Sequence, residues 1–83
     1  MTENAQNQTK LERLALELGE SLRDRGWRMA TAESCTGGWI AQAMTAIAGS
    51  SQWVEGGLVT YSNTAKIDLL GVPAMTLEHH GAV

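Results

Sequence analysis

The chain has a single cysteine, Cys35, and only two histidines, the adjacent His79 and His80. It therefore has no disulfide to staple it and no cluster with metal-ligand spacing. Neighbouring residues on a helix point about 100° apart, so the histidine pair makes no two-ligand edge and no metal is expected. Basic residues are scarce beyond the first third: Lys10, Arg13, Arg23, Arg25 and Arg28 are followed only by Lys66, and the net charge is −3. Nucleic-acid binding needs a basic, aromatic-bearing surface, which the later two thirds cannot supply. Long apolar runs are missing too. There is no span of about 18 apolar residues to cross a membrane and no apolar core of a signal peptide. One thiol without an export signal points to the cytoplasm, where the sequon Asn7-Gln8-Thr9 is idle. A chain of 83 residues buries only about 60% of its potential surface. Its core is thus expected to be completed by a second copy, most simply as a homodimer, or by the rest of a longer domain. The ending Glu78-His79-His80-Gly81-Ala82-Val83 reads as the start of another element, so truncation is the expectation.

What is present has a regular order. Residues 1–9 are polar and read as a flexible leader. From Lys10, Leu11, Leu14, Leu18 and Leu22 recur at three- and four-residue steps, which predicts an amphipathic helix closed by Arg23, Arg25 and Gly26. Trp27, Met29 and Thr31 share one face of a short strand. A second helix is expected from Thr36 or Gly37 to Ala48, rich in small residues that allow close approach to a sheet or ligand. In the stretch from Trp53 to Tyr61 the later portion reads as a strand, with Gly56-Gly57 marking a bulge or bend at its entry. Ser62 or Asn63 then caps a helix ending at Leu70, Gly71-Val72-Pro73 stops it, and Met75 to His80 forms another. Helix, strand, helix, strand, helix, helix implies an α/β fold, an α/β/α layered domain with helices over a small sheet. Strand direction stays open.

Chemistry is concentrated where the first strand meets the second helix, at Thr31-Ala32-Glu33-Ser34-Cys35-Thr36-Gly37-Gly38. Backbone N–H groups at a helix start lack internal partners and can receive a developing oxyanion, here from Thr36, Gly37 and Gly38. Ser34 is the candidate nucleophile, or else a simple turn or cap residue; Cys35 reads more readily as small buried filler. Glu33 either orients a substrate amide or sits over the helix start as a favourable charge. Lys66 lies in the first turn of its helix, where the backbone dipoles disfavour a cation; a neutral lysine there can act as a general base. Otherwise it is an ordinary exposed lysine. Tyr61 could donate to an oxyanion or merely present its hydroxyl to water. Neither a P-loop nor a GxGxxG loop is present, so no cofactor is expected.

These residues resemble the CinA C-terminal family, the nicotinamide-nucleotide amidases. The matching blocks are Thr31 to Gly38, Ala48-Gly49-Ser50-Ser51, Gly57 to Asn63, Ala65-Lys66, Leu70-Gly71-Val72 and His80 to Val83. The resemblance covers about residues 10–83, and it is the combination of blocks that is specific. It implies an α/β/α serine amidohydrolase that converts nicotinamide mononucleotide to nicotinate mononucleotide and ammonia. Carried over residue by residue, it makes Ser34 the nucleophile, Lys66 its base and Tyr61 an assisting hydroxyl. It also implies that residues 10–83 are the N-terminal half of a domain about twice as long, whose second half bears a glycine- and proline-rich loop. The alternative is a non-catalytic α/β interaction module or an inactive truncated paralogue. On the catalytic reading, alanine at Lys66 is expected to leave folding largely intact while removing most of the rate.

Overall fold

The structure, a computed structural model, describes residues 2–83, with side chains from residue 6 onward. Helix α1 spans Thr2–Arg25, strand β1 Met29–Ser34, helix α2 Trp39–Thr45, strand β2 Val54–Thr60, helix α3 Asn63–Leu70 and helix α4 Ala74–His80. A turn of 3-10 helix, Ser50–Gln52, leads into β2. The two strands are parallel neighbours, so β1, α2 and β2 form a crossover unit. This settles the strand direction that the sequence leaves open, and the helices flank the small sheet in α/β/α layers.

Boundaries move for local reasons. Helix α1 begins at Thr2 and not at Lys10, running through the segment read as a leader, of which Met1 lies outside the described residues. Neither glycine nor proline interrupts the chain before Gly19, so nothing in the polar segment stops the helix. Strand β1 runs on to Ser34, because Thr31, Glu33 and Ser34 pair with Gly57, Val59 and Thr60 despite their polarity. Helix α2 starts only at Trp39, since Gly37 and Gly38 both adopt positive φ. The expected irregularity near Gly56 is present: Met29 pairs with Val54 but Ala30 with Gly56, leaving Glu55 as the extra residue.

The core is small. Ala15, Met44 and Trp53 are its buried centre, with Leu22, Met29, Ile47 and Val54 packed around them. The leucine stripe of α1 is only partly used: Leu14 and Leu18 stay about half exposed (54% and 46%), while Ala15 and Gly19 make the close contacts. Gly19 is where the Trp53 indole lies against the helix. A Cβ at Gly19 would come within 2.5 Å of the ring. Alanine normally stabilises a helix interior relative to glycine. Here Trp53 is 2% exposed and has nowhere to go. Gly19→Ala is therefore expected to destabilise by about 1–3 kcal/mol, read as a lower urea midpoint at unchanged slope; a higher midpoint would show that the indole can shift.

The amino end of the sheet is fastened by Arg28. Its Nε donates to Glu55 Oε2 at 2.6 Å, and its Nη atoms donate to the carbonyls of Gln52, Ser51 and Val54 at 3.1, 3.1 and 3.0 Å. One planar guanidinium thus ties β1 to the 3-10 turn and to the bulge of β2. The other end of the sheet carries the candidate site.

Candidate active site

Ser34 is the last residue of β1, and the chain must then turn into α2 within four residues. It does so with positive φ at Cys35 (69°), Gly37 (73°) and Gly38 (97°). Two of these are glycines, which accept that geometry freely; Cys35 does so at a cost on the order of 1–2 kcal/mol. Cys35 is exposed, so it is not the buried filler expected from its size. Ser34 is half-buried, and its Oγ donates to the backbone oxygen of Val83 at 3.3 Å, a long contact for a hydroxyl.

Glu33 faces the other way. Its carboxylate, 5% exposed, accepts from the Ile40 N–H at 2.6 Å, the Ala41 N–H at 3.0 Å and the Thr36 hydroxyl at 3.2 Å. Thr36 Oγ1 in turn accepts from the Gly38 and Trp39 amides at 3.3 and 3.4 Å. Of the two readings of Glu33, the structure brings out the charge over a helix start, and the early amides of α2 are consumed in holding it. Burial pushes the Glu33 carboxyl up, but the Ala41 and Ile40 amides and the Thr36 hydroxyl outweigh that and hold it below the ordinary glutamate value.

That depression fixes the sign of a pH effect. Stability from Glu33 is present in full above the pKa of an unfolded glutamate and is lost as the pH falls through the lower folded value. Glu33→Gln places an N–H where α2 needs an acceptor. It should lower the thermal midpoint at neutral pH by roughly 4–8 °C, with the gap to wild type closing in acid. A gap independent of pH in thermal melts would mean that the charge is immaterial.

The second strand delivers Lys66. After Thr60 come Tyr61 and the helix cap Ser62, whose Oγ accepts from the Ala65 N–H at 3.0 Å; Gly71 closes the helix with positive φ. Ser62, not Asn63, is therefore the cap. Lys66 sits in the first full turn and is 2% exposed, the largest fully buried side chain among the described residues. The reading of an ordinary exposed lysine is thereby excluded. Tyr61 projects at the same end of β2 but is 77% exposed.

Ser34 and Thr60 are register partners, so both strands finish at one edge, with Lys66 six residues past that edge. The carboxyl edge of a parallel sheet is where α/β folds bind their ligands. Among the described residues the Thr36 and Gly37 amides donate to nothing, whereas the Gly38 amide is occupied by Thr36. These two amides are thus the unoccupied donors of the turn. One residue at this edge was not singled out by sequence reasoning: Thr60, 3% exposed, whose Oγ1 lies 3.3 Å from the Glu33 carbonyl. Its only signal is a hydroxyl placed directly before Tyr61 in an apolar strand.

Residues 11–83 match the family described as the CinA C-terminal domain. The chain belongs to that family. It is 54% identical over 77 residues to the nicotinamide-nucleotide amidohydrolase PncC of Enterobacter agglomerans, covering 93% of this chain and 47% of the relative. With the protein of the same name from Escherichia coli it shares 53% identity over 75 residues, 90% of this chain and 46% of the relative. Among solved structures, the competence/damage inducible protein CihA of Agrobacterium tumefaciens matches with a TM-score of 0.83 and 52% identity, over 88% of this chain and 44% of that one. This CinA-family chain thus spans about half the length of the curated relatives it matches. Its α/β/α layering and the turn after β1 lie within the matched residues.

Proposed function

We propose that the protein acts as an amidohydrolase that converts nicotinamide mononucleotide to nicotinate mononucleotide and ammonia through an acyl-enzyme on Ser34. The observation that carries this reading is a serine that ends β1 in register with Thr60, where the neighbouring parallel strand ends and leads within six residues to a fully buried lysine. It is supported by 54% identity to a nicotinamide-nucleotide amidohydrolase.

In this mechanism the neutral amine of Lys66 accepts the Ser34 hydroxyl proton as Oγ attacks the carboxamide carbon. The resulting oxyanion is met by the Thr36 and Gly37 amides. Lys66 returns the proton to the departing nitrogen, ammonia leaves, and an ester to Ser34 remains. Water attacks that ester as Lys66 takes its proton, Lys66 returns the proton to Ser34 Oγ as the ester bond breaks, and nicotinate mononucleotide is released. Tyr61, exposed beside this edge, is given the part of an assisting hydroxyl in this mechanism.

The half-exposed Leu14, Leu18 and Ile40 support assembly beyond this chain, and a homodimer is the form we propose. No helix among the described residues is long and apolar enough to cross a membrane, in keeping with the cytoplasmic role we propose. The test is direct: the intact protein is incubated with nicotinamide mononucleotide, and ammonia and nicotinate mononucleotide are measured in equal amounts. Failure to release either overturns the reading.

A further inference from the structure

We propose that Thr60 is a positioning residue that locks the nucleophile strand to the strand that delivers the base. The inference rests on the Ser34 and Lys66 roles given above, and it concerns how their separation is held.

Three observations converge on Thr60. It is the last residue of β2, paired in register with Ser34, and Lys66 follows it by six positions. Its side chain is 3% exposed, and its hydroxyl donates to the Glu33 carbonyl at 3.3 Å. That carbonyl belongs to the peptide unit leading into Ser34. On the opposite face the Glu33 carboxylate is pinned by the Ile40 and Ala41 amides. The residue before the nucleophile is therefore gripped from both sides, by α2 through its side chain and by β2 through its backbone.

Stability does not account for the hydroxyl. A buried strand position suits valine at least as well, since a desolvated hydroxyl with one long bond returns little net free energy. What valine lacks is the directed bond to Glu33. Without it the last residues of β1 and β2 are joined by the ladder alone, at the point where the ladder ends and Cys35 leaves with positive φ. Displacements of about 1 Å in a reacting pair can cost about 100-fold in rate, so a modest bond placed here is read out in catalysis.

The experiment compares Thr60→Val and Thr60→Ser in the intact protein. Thr60→Val should keep or raise the thermal midpoint, lower kcat by about 10- to 100-fold and leave KM within about 3-fold. Amide hydrogen exchange at Ser34 and Cys35, read without substrate, should quicken by about 10-fold or more. Thr60→Ser, which keeps the hydroxyl, should stay within about 3-fold of wild type on every readout. An active wild type whose Thr60→Val variant retains its kcat overturns the positioning role alone. So does a fall in kcat without faster exchange, because Thr60 would then act on substrate directly, and so does a failure of serine to rescue. A wild type that releases no ammonia overturns the Ser34 and Lys66 roles, and the positioning role with them.

Discussion

Replacing Ser34 by alanine in the intact protein is expected to lower kcat for ammonia release by at least about 10³-fold while leaving the fold in place. Little structural cost follows from the change. Ser34 is only half-buried, and the long contact to Val83 contributes little. The thermal midpoint should therefore move by less than about 3 °C, since one kcal/mol corresponds to roughly 4–8 °C in a domain of this size. The decisive control is the neighbour. Cys35 is exposed and intrinsically nucleophilic, so a Ser34→Ala variant that keeps its rate would assign the acyl group to the thiol. Alkylation with iodoacetamide would then abolish that residual rate.

Lys66 calls for a different substitution from the one the sequence suggests. At 2% exposure its four-carbon stem fills space, so truncation to alanine leaves a cavity worth about 2–4 kcal/mol. Lost activity in Lys66→Ala would thus mix lost chemistry with lost structure. Lys66→Met keeps most of the volume and deletes the amine. We expect kcat to fall by at least about 10²-fold, with a thermal midpoint equal to or above wild type, because a buried amine is costly to desolvate. A methionine variant with near-wild-type turnover would place the base elsewhere.

Much of this architecture is legible in the residues. Leucine spacing in α1, the small residues of α2, the β-branched run in β2 and the cap at Ser62 each name an element and its type, because local physics decides them. What is not legible depends on distant partners. Parallel pairing, the length of β1 and the burial of Lys66 all arise when β2 lies beside β1, and no short window contains both. Glu33 shows the limit clearly. Its residue type allows more than one reading, and the Ile40 and Ala41 amides that its carboxylate meets are visible only in the fold. Gly19 shows it from the other side. In a helix pattern it reads as a weak position, whereas its missing side chain is what admits Trp53. Cys35 fails as filler for a backbone reason, since the turn holds it with positive φ and leaves it exposed.

The carboxylate beneath the turn has one more consequence. Because Glu33 already occupies the amides at the head of α2 and is held ionised by them, an external anion finds that position taken by a permanent internal tenant. On the function proposed above, the nucleotide's phosphate would then be recognised by other donors.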